Sequence, residues 1–87
     1  MIIIYNRGFE KALLKMPKKI QTAFKERVSL FIVSPYERVL NNHRLNGRLM
    51  NYKSINITGD YRLIFEEIDT NTVRLIDIGT HSELYGK

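Results

Sequence analysis

The sequence predicts an α+β domain of order β-α-α-β-β-β, a helical hairpin packed on a mainly antiparallel four-stranded sheet. Three observations carry this. Residues 7–33 place apolar side chains at helical spacing and are interrupted once, at Pro17. Residues 52–78 hold three β-branched or aromatic runs, split by Thr58-Gly59-Asp60 and by Asp69-Thr70-Asn71-Thr72. A further β-branched run, Ile2-Ile3-Ile4, precedes the helices. Helices and strands that are segregated along the chain put the helices on one face of an antiparallel sheet.

Ile2-Ile3-Ile4-Tyr5 reads as a short strand. Asn6 suits the cap of a helix over roughly residues 7–16, where Phe9, Ala12, Leu13 and Met16 recur at i, i+3, i+4 and i+7. Pro17 breaks that helix and fits the first turn of the next. The second helix spans about residues 18–33, with an apolar stripe of Ile20, Ala23, Phe24, Val28, Phe31 and Ile32. Lys18, Lys19, Lys25 and Arg27 lie mainly off that stripe, and the pair forms an αα-hairpin. Ser34-Pro35 ends it, because proline disfavours helix in the residue before it. Residues 35–50 show little periodicity and read as a long connection, of the kind that is often functional.

Three strands follow. Tyr52 to Thr58 alternates, with Ile55 and Ile57 on one face and Ser54 and Asn56 on the other. Tyr61 to Ile68 puts Tyr61, Leu63 and Phe65 on one face and Arg62 on the opposite one. Asp69-Thr70-Asn71-Thr72 is a hairpin turn, and Val73 to Ile78 is the last strand.

A chain of 87 residues makes one domain, residues 1–87. Its hydrophobic content of 44% is ordinary for a globular protein. The absence of cysteine excludes disulfides and thiolate metal sites, and fits a reducing compartment. The amino-terminal residues lack a signal-peptide pattern, and no apolar run approaches the roughly 18 residues of a membrane span. The expectation is a cytoplasmic protein with no membrane partner. Net charge is +5, but residues 1–53 hold 11 Lys and Arg against 3 Asp and Glu, a balance of +8. Such a basic part favours a phosphate backbone or an acidic protein partner, unless it is merely a solvated helical face.

The strand ending at Ile78 runs into Gly79-Thr80-His81-Ser82-Glu83-Leu84-Tyr85, a cluster able to move protons. His43 and His81 are the two histidines, both expected in loops or at strand ends. Histidine titrates near neutral pH and can give or take a proton there, although an isolated loop histidine is often a plain surface residue. The spacings His43 to Asp60 and His81 to Glu83 match no zinc or EF-hand pattern, so no metal and no cofactor is expected. No glycine-rich nucleotide-binding motif occurs, and Ser82, His81 and Asp60 sit in nothing like a nucleophile elbow. Arg62 can clamp a phosphate in bidentate fashion if its face is open. The structural alternative is a cross-strand ion pair with Glu66 or Asp77. Tyr52, Tyr61 and Tyr85 could stack on bases of single-stranded RNA. Core packing suits Tyr61, and Tyr85 is the favoured functional one.

The element order, the His43-x-Leu45-x-Gly47 segment, Gly59-Asp60-Tyr61-Arg62-Leu63-Ile64-Phe65 and Ile78-Gly79-Thr80-His81-Ser82-Glu83-Leu84-Tyr85 together resemble the RelE/ParE superfamily of bacterial toxins, closest to the YafQ-type branch. The resemblance covers essentially the whole chain. It implies a RelE-like fold and a toxin of a type II toxin–antitoxin system, an mRNA interferase that cuts mRNA in the ribosomal A site. It also implies a cognate antitoxin that silences it, with free toxin monomeric and a higher-order complex formed with the antitoxin. The implied reaction needs no metal: the 2′-hydroxyl attacks the phosphorus while a base, an acid and cations assist. His43, Asp60, His81 and Tyr85 match the YafQ branch's site, and Arg62 matches the strand arginine of the RelE branch. His81 is then the main general acid or base, with His43 and Asp60 assisting. Lys18, Lys19, Lys25, Arg44, Arg48 and Lys53 would face ribosome and RNA. Asn56 stands where that branch often has another histidine, and Asp77 where an arginine is common. A ParE-like gyrase inhibitor that does no chemistry, or a decayed toxin that only binds antitoxin, are the alternatives.

Overall fold

The computed structural model describes residues 1–86. Its elements are β1 (Ile2–Ile4), α1 (Arg7–Leu14), α2 (Lys18–Val33), β2 (His43–Arg44), β3 (Lys53–Asn56), β4 (Tyr61–Asp69), β5 (Thr72–Thr80) and α3 (His81–Tyr85). Single 3₁₀ turns occupy Arg38–Leu40 and Gly47–Leu49. The sheet has five strands in the order β1-β5-β4-β3-β2. β1 runs parallel to β5, and every other neighbour is antiparallel. The α+β class therefore stands, with two corrections: one strand and one helix are added.

The added strand is β2, inside the connection that lacked periodicity. Two residues cannot display an alternation; β2 exists because β3 presents an unpaired edge, on which His43 faces Ser54 and Arg44 faces Lys53. The added helix is α3, which places His81 at a helix start rather than in a loop. Its signal was a capping box: the Thr80 hydroxyl accepts from the Glu83 amide, and the Glu83 carboxylate accepts from the Thr80 amide.

Helix α1 starts as its sequence demands, with the Asn6 side chain accepting from the Phe9 amide at 2.7 Å. It ends at Leu14, two residues short of the expected end, because Met16 precedes a proline and is steered out of helical geometry. Helix α2 has the expected bounds, and Ser34 leaves the helix just before Pro35.

The helices cover one face of the sheet. Phe9, Phe24 and Phe31 from the helices meet Ile55, Leu63, Phe65, Leu75 and Ile78 from the strands. Phe31 and Phe65 lie 4.9 Å apart between ring centres, a tilted contact that adds about 0.5–1.5 kcal/mol beyond burial. A β-bulge lets the last strand keep this core. Ile64 pairs with Asp77 and Phe65 with Leu75, so Ile76 is an extra residue. Leu75 and Ile78 thereby face the same core although they are an odd number apart. Pleat alternation sends Arg62 and Ile64 to the other face, where Ile64, Leu45 and Leu84 form a second, smaller cluster. Tyr52, Ile76 and Tyr85 pack against that cluster.

Candidate functional site

The face away from α1 and α2 is covered by the residues around β2 at one side and by α3 at the other. Between them lies an open cavity of about 380 Å³ lined by Asn41, His43, Leu45, Arg62, His81 and Tyr85. Four of the five residues expected to carry chemistry thus meet in one place: His43, Arg62, His81 and Tyr85.

His43 is oriented by its own chain. Its Nδ1 lies 2.7 Å from the carbonyl oxygen of Asn41. A carbonyl only accepts, so Nδ1 carries the hydrogen, and in the neutral ring the lone pair sits on Nε2. Asn41 holds a left-handed backbone, φ 47°, which asparagine tolerates better than most residues. Gly47 completes the segment with φ 66°, a conformation in which any side chain would be strained.

His81 is the first residue of α3, and its amide donates to the Asp60 carbonyl at 3.1 Å. Its ring meets Tyr85, one turn on, edge to face with centres 4.6 Å apart. The Tyr85 hydroxyl donates to Ser54 Oγ at 3.0 Å. Ser54 is fully buried.

Among the described residues, Arg62 makes no ion pair. Its Nη1 donates to the carbonyls of Thr58, Gly59 and Tyr61 at 3.1, 3.1 and 3.2 Å. The acids considered for it are engaged elsewhere: Glu66 pairs with Arg74 at 3.0 Å, and Asp77 accepts from the Ile78 amide. The turn and the first residue of β4 therefore hold Nη1 of the guanidinium, and Arg62 lines the cavity.

Asp60 touches the site through its carbonyl, which accepts from the His81 amide, but it lines a different hollow with Lys19, Ile20, Thr58 and Tyr61. Asn56 is opposite Arg62 in the β3–β4 register, and its Oδ1 is buried without a hydrogen-bond partner among the described residues. Tyr61 packs on the main core as expected.

Of the basic residues, Lys18, Lys19, Lys25, Arg44 and Arg48 are exposed. Lys53 is not a free cation: its Nζ lies 3.4 Å from a Glu67 carboxylate oxygen and over the Tyr36 ring. Among the described residues, no three His, Cys, Asp or Glu side chains gather as metal ligands would, and no helix is long and apolar enough to cross a membrane.

Two contributors were not singled out in the sequence. Asn41 aims His43 through its carbonyl, which leaves no mark on side-chain pattern. Ser54 was assigned to the face away from the core, and its burial follows from the second cluster, Leu45, Ile64 and Leu84, that covers that face.

Chemically, the cavity offers two imidazoles, a guanidinium and an aromatic ring. That set can take a proton, give one, and stabilise negative charge between them.

A family model described as bacterial toxin of type II toxin–antitoxin system, YafQ, matches residues 2–86. The fold is similar to that of YafQ from E. coli strain BL21(DE3), at 24% identity and TM-score 0.80, covering 97% of each chain. It is similar to the toxin in the E. coli DinJ–YafQ toxin–antitoxin complex, at 25% identity and TM-score 0.77, covering 97% of this chain and 96% of that one. A YoeB/ParE toxin from Agrobacterium tumefaciens shares the fold at 13% identity and TM-score 0.71, covering 93% and 99%. No curated protein matches the sequence.

Proposed function

Because this chain belongs to the YafQ family of bacterial toxins of type II toxin–antitoxin systems, we propose that it is a ribosome-dependent endoribonuclease that cuts mRNA and so blocks translation. The observation that carries the reading is the single cavity shared by His43, Arg62, His81 and Tyr85.

In the proposed reaction the 2′-oxygen attacks the adjacent phosphorus. His43 Nε2, left basic by the bond from Nδ1 to Asn41, takes the 2′-proton. The P–O5′ bond breaks, and His81 gives its proton to the departing 5′-oxygen. Arg62 stabilises the charge that grows on the phosphoryl oxygens. The Tyr85 ring packs against His81 and offers a face to a base. The products are a 2′,3′-cyclic phosphate and a 5′-hydroxyl end. The proposed mechanism assigns every proton movement to a side chain and calls on no metal. Asp60 assists through its main-chain carbonyl, which accepts from the His81 amide.

Lys18, Lys19, Lys25, Arg44 and Arg48 are exposed and suit contact with ribosomal RNA. The expected partner is an antitoxin, as in the DinJ–YafQ complex, and the workplace is the cytoplasm.

The test is to express the chain alone and follow labelled precursors, then map RNA ends on purified ribosomes. Protein synthesis should stop first, and cut mRNA should carry cyclic phosphate ends. Early loss of DNA synthesis with translation spared would favour a gyrase inhibitor instead.

A further inference from the structure

We propose that Ser54 is a positioning residue of this site: its buried hydroxyl holds the Tyr85 ring, and through it His81, against the strand pair that carries His43. The inference rests on the cleavage reaction proposed above.

Among the described residues, Ser54 is the one polar side chain in the buried class, at 0% exposure. A hydroxyl taken out of water is costly unless it is hydrogen-bonded. Serine is also a poorer strand former than the β-branched residues that would fit the middle of β3. Its partner is the Tyr85 hydroxyl, 31 residues away in sequence and 3.0 Å away in space.

The register makes this bond a junction. Ser54 faces His43 across β2 and Ile64 across β4. Tyr85 lies one helical turn beyond His81 and packs against its ring. Ser54 therefore connects the two histidine-bearing elements, β2 through strand pairing and α3 through its hydroxyl.

Helix α3 needs such an anchor. It has five residues, far below the length at which a helix persists by itself. The capping box fixes its start, and burial of Leu84 fixes one side against the sheet. Together they set which side of the helix faces the sheet, but neither holds the Tyr85 side chain. A second attachment at the neighbouring position, Tyr85 to Ser54, does. It also engages the phenolic oxygen, so the ring is the part of Tyr85 left for His81 and for RNA.

Three variants test this: Ser54→Ala, Tyr85→Phe and the double mutant. Folding is checked by thermal melts, and single-turnover cleavage of ribosome-bound mRNA is measured well below the melting temperature. Misplacement by about an ångström reduces rate by up to about 100-fold, so each single variant should lose between about 10- and 100-fold in the chemical step. KM should change little, and the double mutant should be no slower than the slower single, because both remove one bond. His81 ring resonances in NMR spectra should move in both single variants. A Ser54→Ala protein that fails to fold leaves Tyr85→Phe, which removes the same bond from the cavity side, to decide the matter. Wild-type rates with unmoved His81 resonances in folded Tyr85→Phe would overturn the proposal, as would fully additive losses. If the wild-type protein cuts no RNA, the functional reading falls, and the resonance shifts alone decide the role of Ser54.

Discussion

Nδ1 of His43 lies 2.7 Å from the main-chain carbonyl oxygen of Asn41, which a left-handed backbone turns toward it. The bond selects one tautomer and aims the other ring nitrogen outward. An imidazole held in this way is ready to accept a proton without first rearranging.

His43→Ala should therefore lower single-turnover cleavage by roughly 10²–10⁴-fold, the usual contribution of a general base. Affinity for ribosomes should survive, since many other cations remain on the chain. Equal rates for mutant and wild type would remove His43 from the reaction.

Asn41 itself should tolerate glycine and resist β-branched residues. A non-glycine residue in a left-handed conformation carries strain of about 1–3 kcal/mol, least for asparagine. Asn41→Val should lower the melting temperature and the cleavage rate together, while Asn41→Gly keeps both near wild type. Denaturant titrations of the two variants check the first part, and a stable Asn41→Val protein would contradict it.

His81→Ala should abolish detectable cleavage and leave the fold intact. The ring is exposed, and its contact with Tyr85 contributes about 1 kcal/mol at most. A general acid contributes roughly 10²–10⁴-fold in rate. A mutant that melts like wild type and still cuts at full speed would show that the acid lies elsewhere.

Thr80→Ala removes the hydroxyl that caps α3. The loss should destabilise the protein by about 1 kcal/mol. It should also slow cleavage, because His81 is the first residue after the cap. Measuring stability and rate on the same samples separates the two effects: a slower enzyme with unchanged stability would point to direct contact between Thr80 and RNA.

The helical half of the fold was legible because two signals agreed there. Apolar spacing around Phe9 and Phe24 gave the buried faces, and Pro17 and Pro35 gave the breaks. Elements of two and five residues escaped, for a physical reason. β2 depends on the edge that Ser54 and Lys53 offer, so its cause lies further along the chain, in the next strand. α3 is too short to show periodicity, and only Thr80 and Glu83 announced it.

The lining of the candidate cavity was legible at His43, Arg62, His81 and Tyr85. Asp60 lines a different hollow. It belongs to the turn before β4, where the alternation that aims Arg62 does not yet hold. Ser54 went unnoticed because alternation names a face without saying what covers it.

The Arg62 Nη1 is shared among the carbonyls of Thr58, Gly59 and Tyr61, which hold the guanidinium, and the residue borders the cavity. Lysine offers a point charge and cannot reproduce that fork, so Arg62→Lys should be nearly as slow as Arg62→Ala. Both should lose more in cleavage than in binding, because Arg62 is one of 14 Lys and Arg in the chain. Loss of the turn contacts should destabilise Arg62→Ala by about 1 kcal/mol. Replacing Lys18, Lys19 or Lys25 should do the opposite: weaker binding at unchanged chemistry, with a salt slope shallower by about one unit for each phosphate contact removed. Dissociation constants and single-turnover rates at two salt concentrations distinguish the classes. Equal losses in binding and rate for Arg62→Ala would reduce Arg62 to a general phosphate contact. Loss of stability alone would make it a strut of the turn.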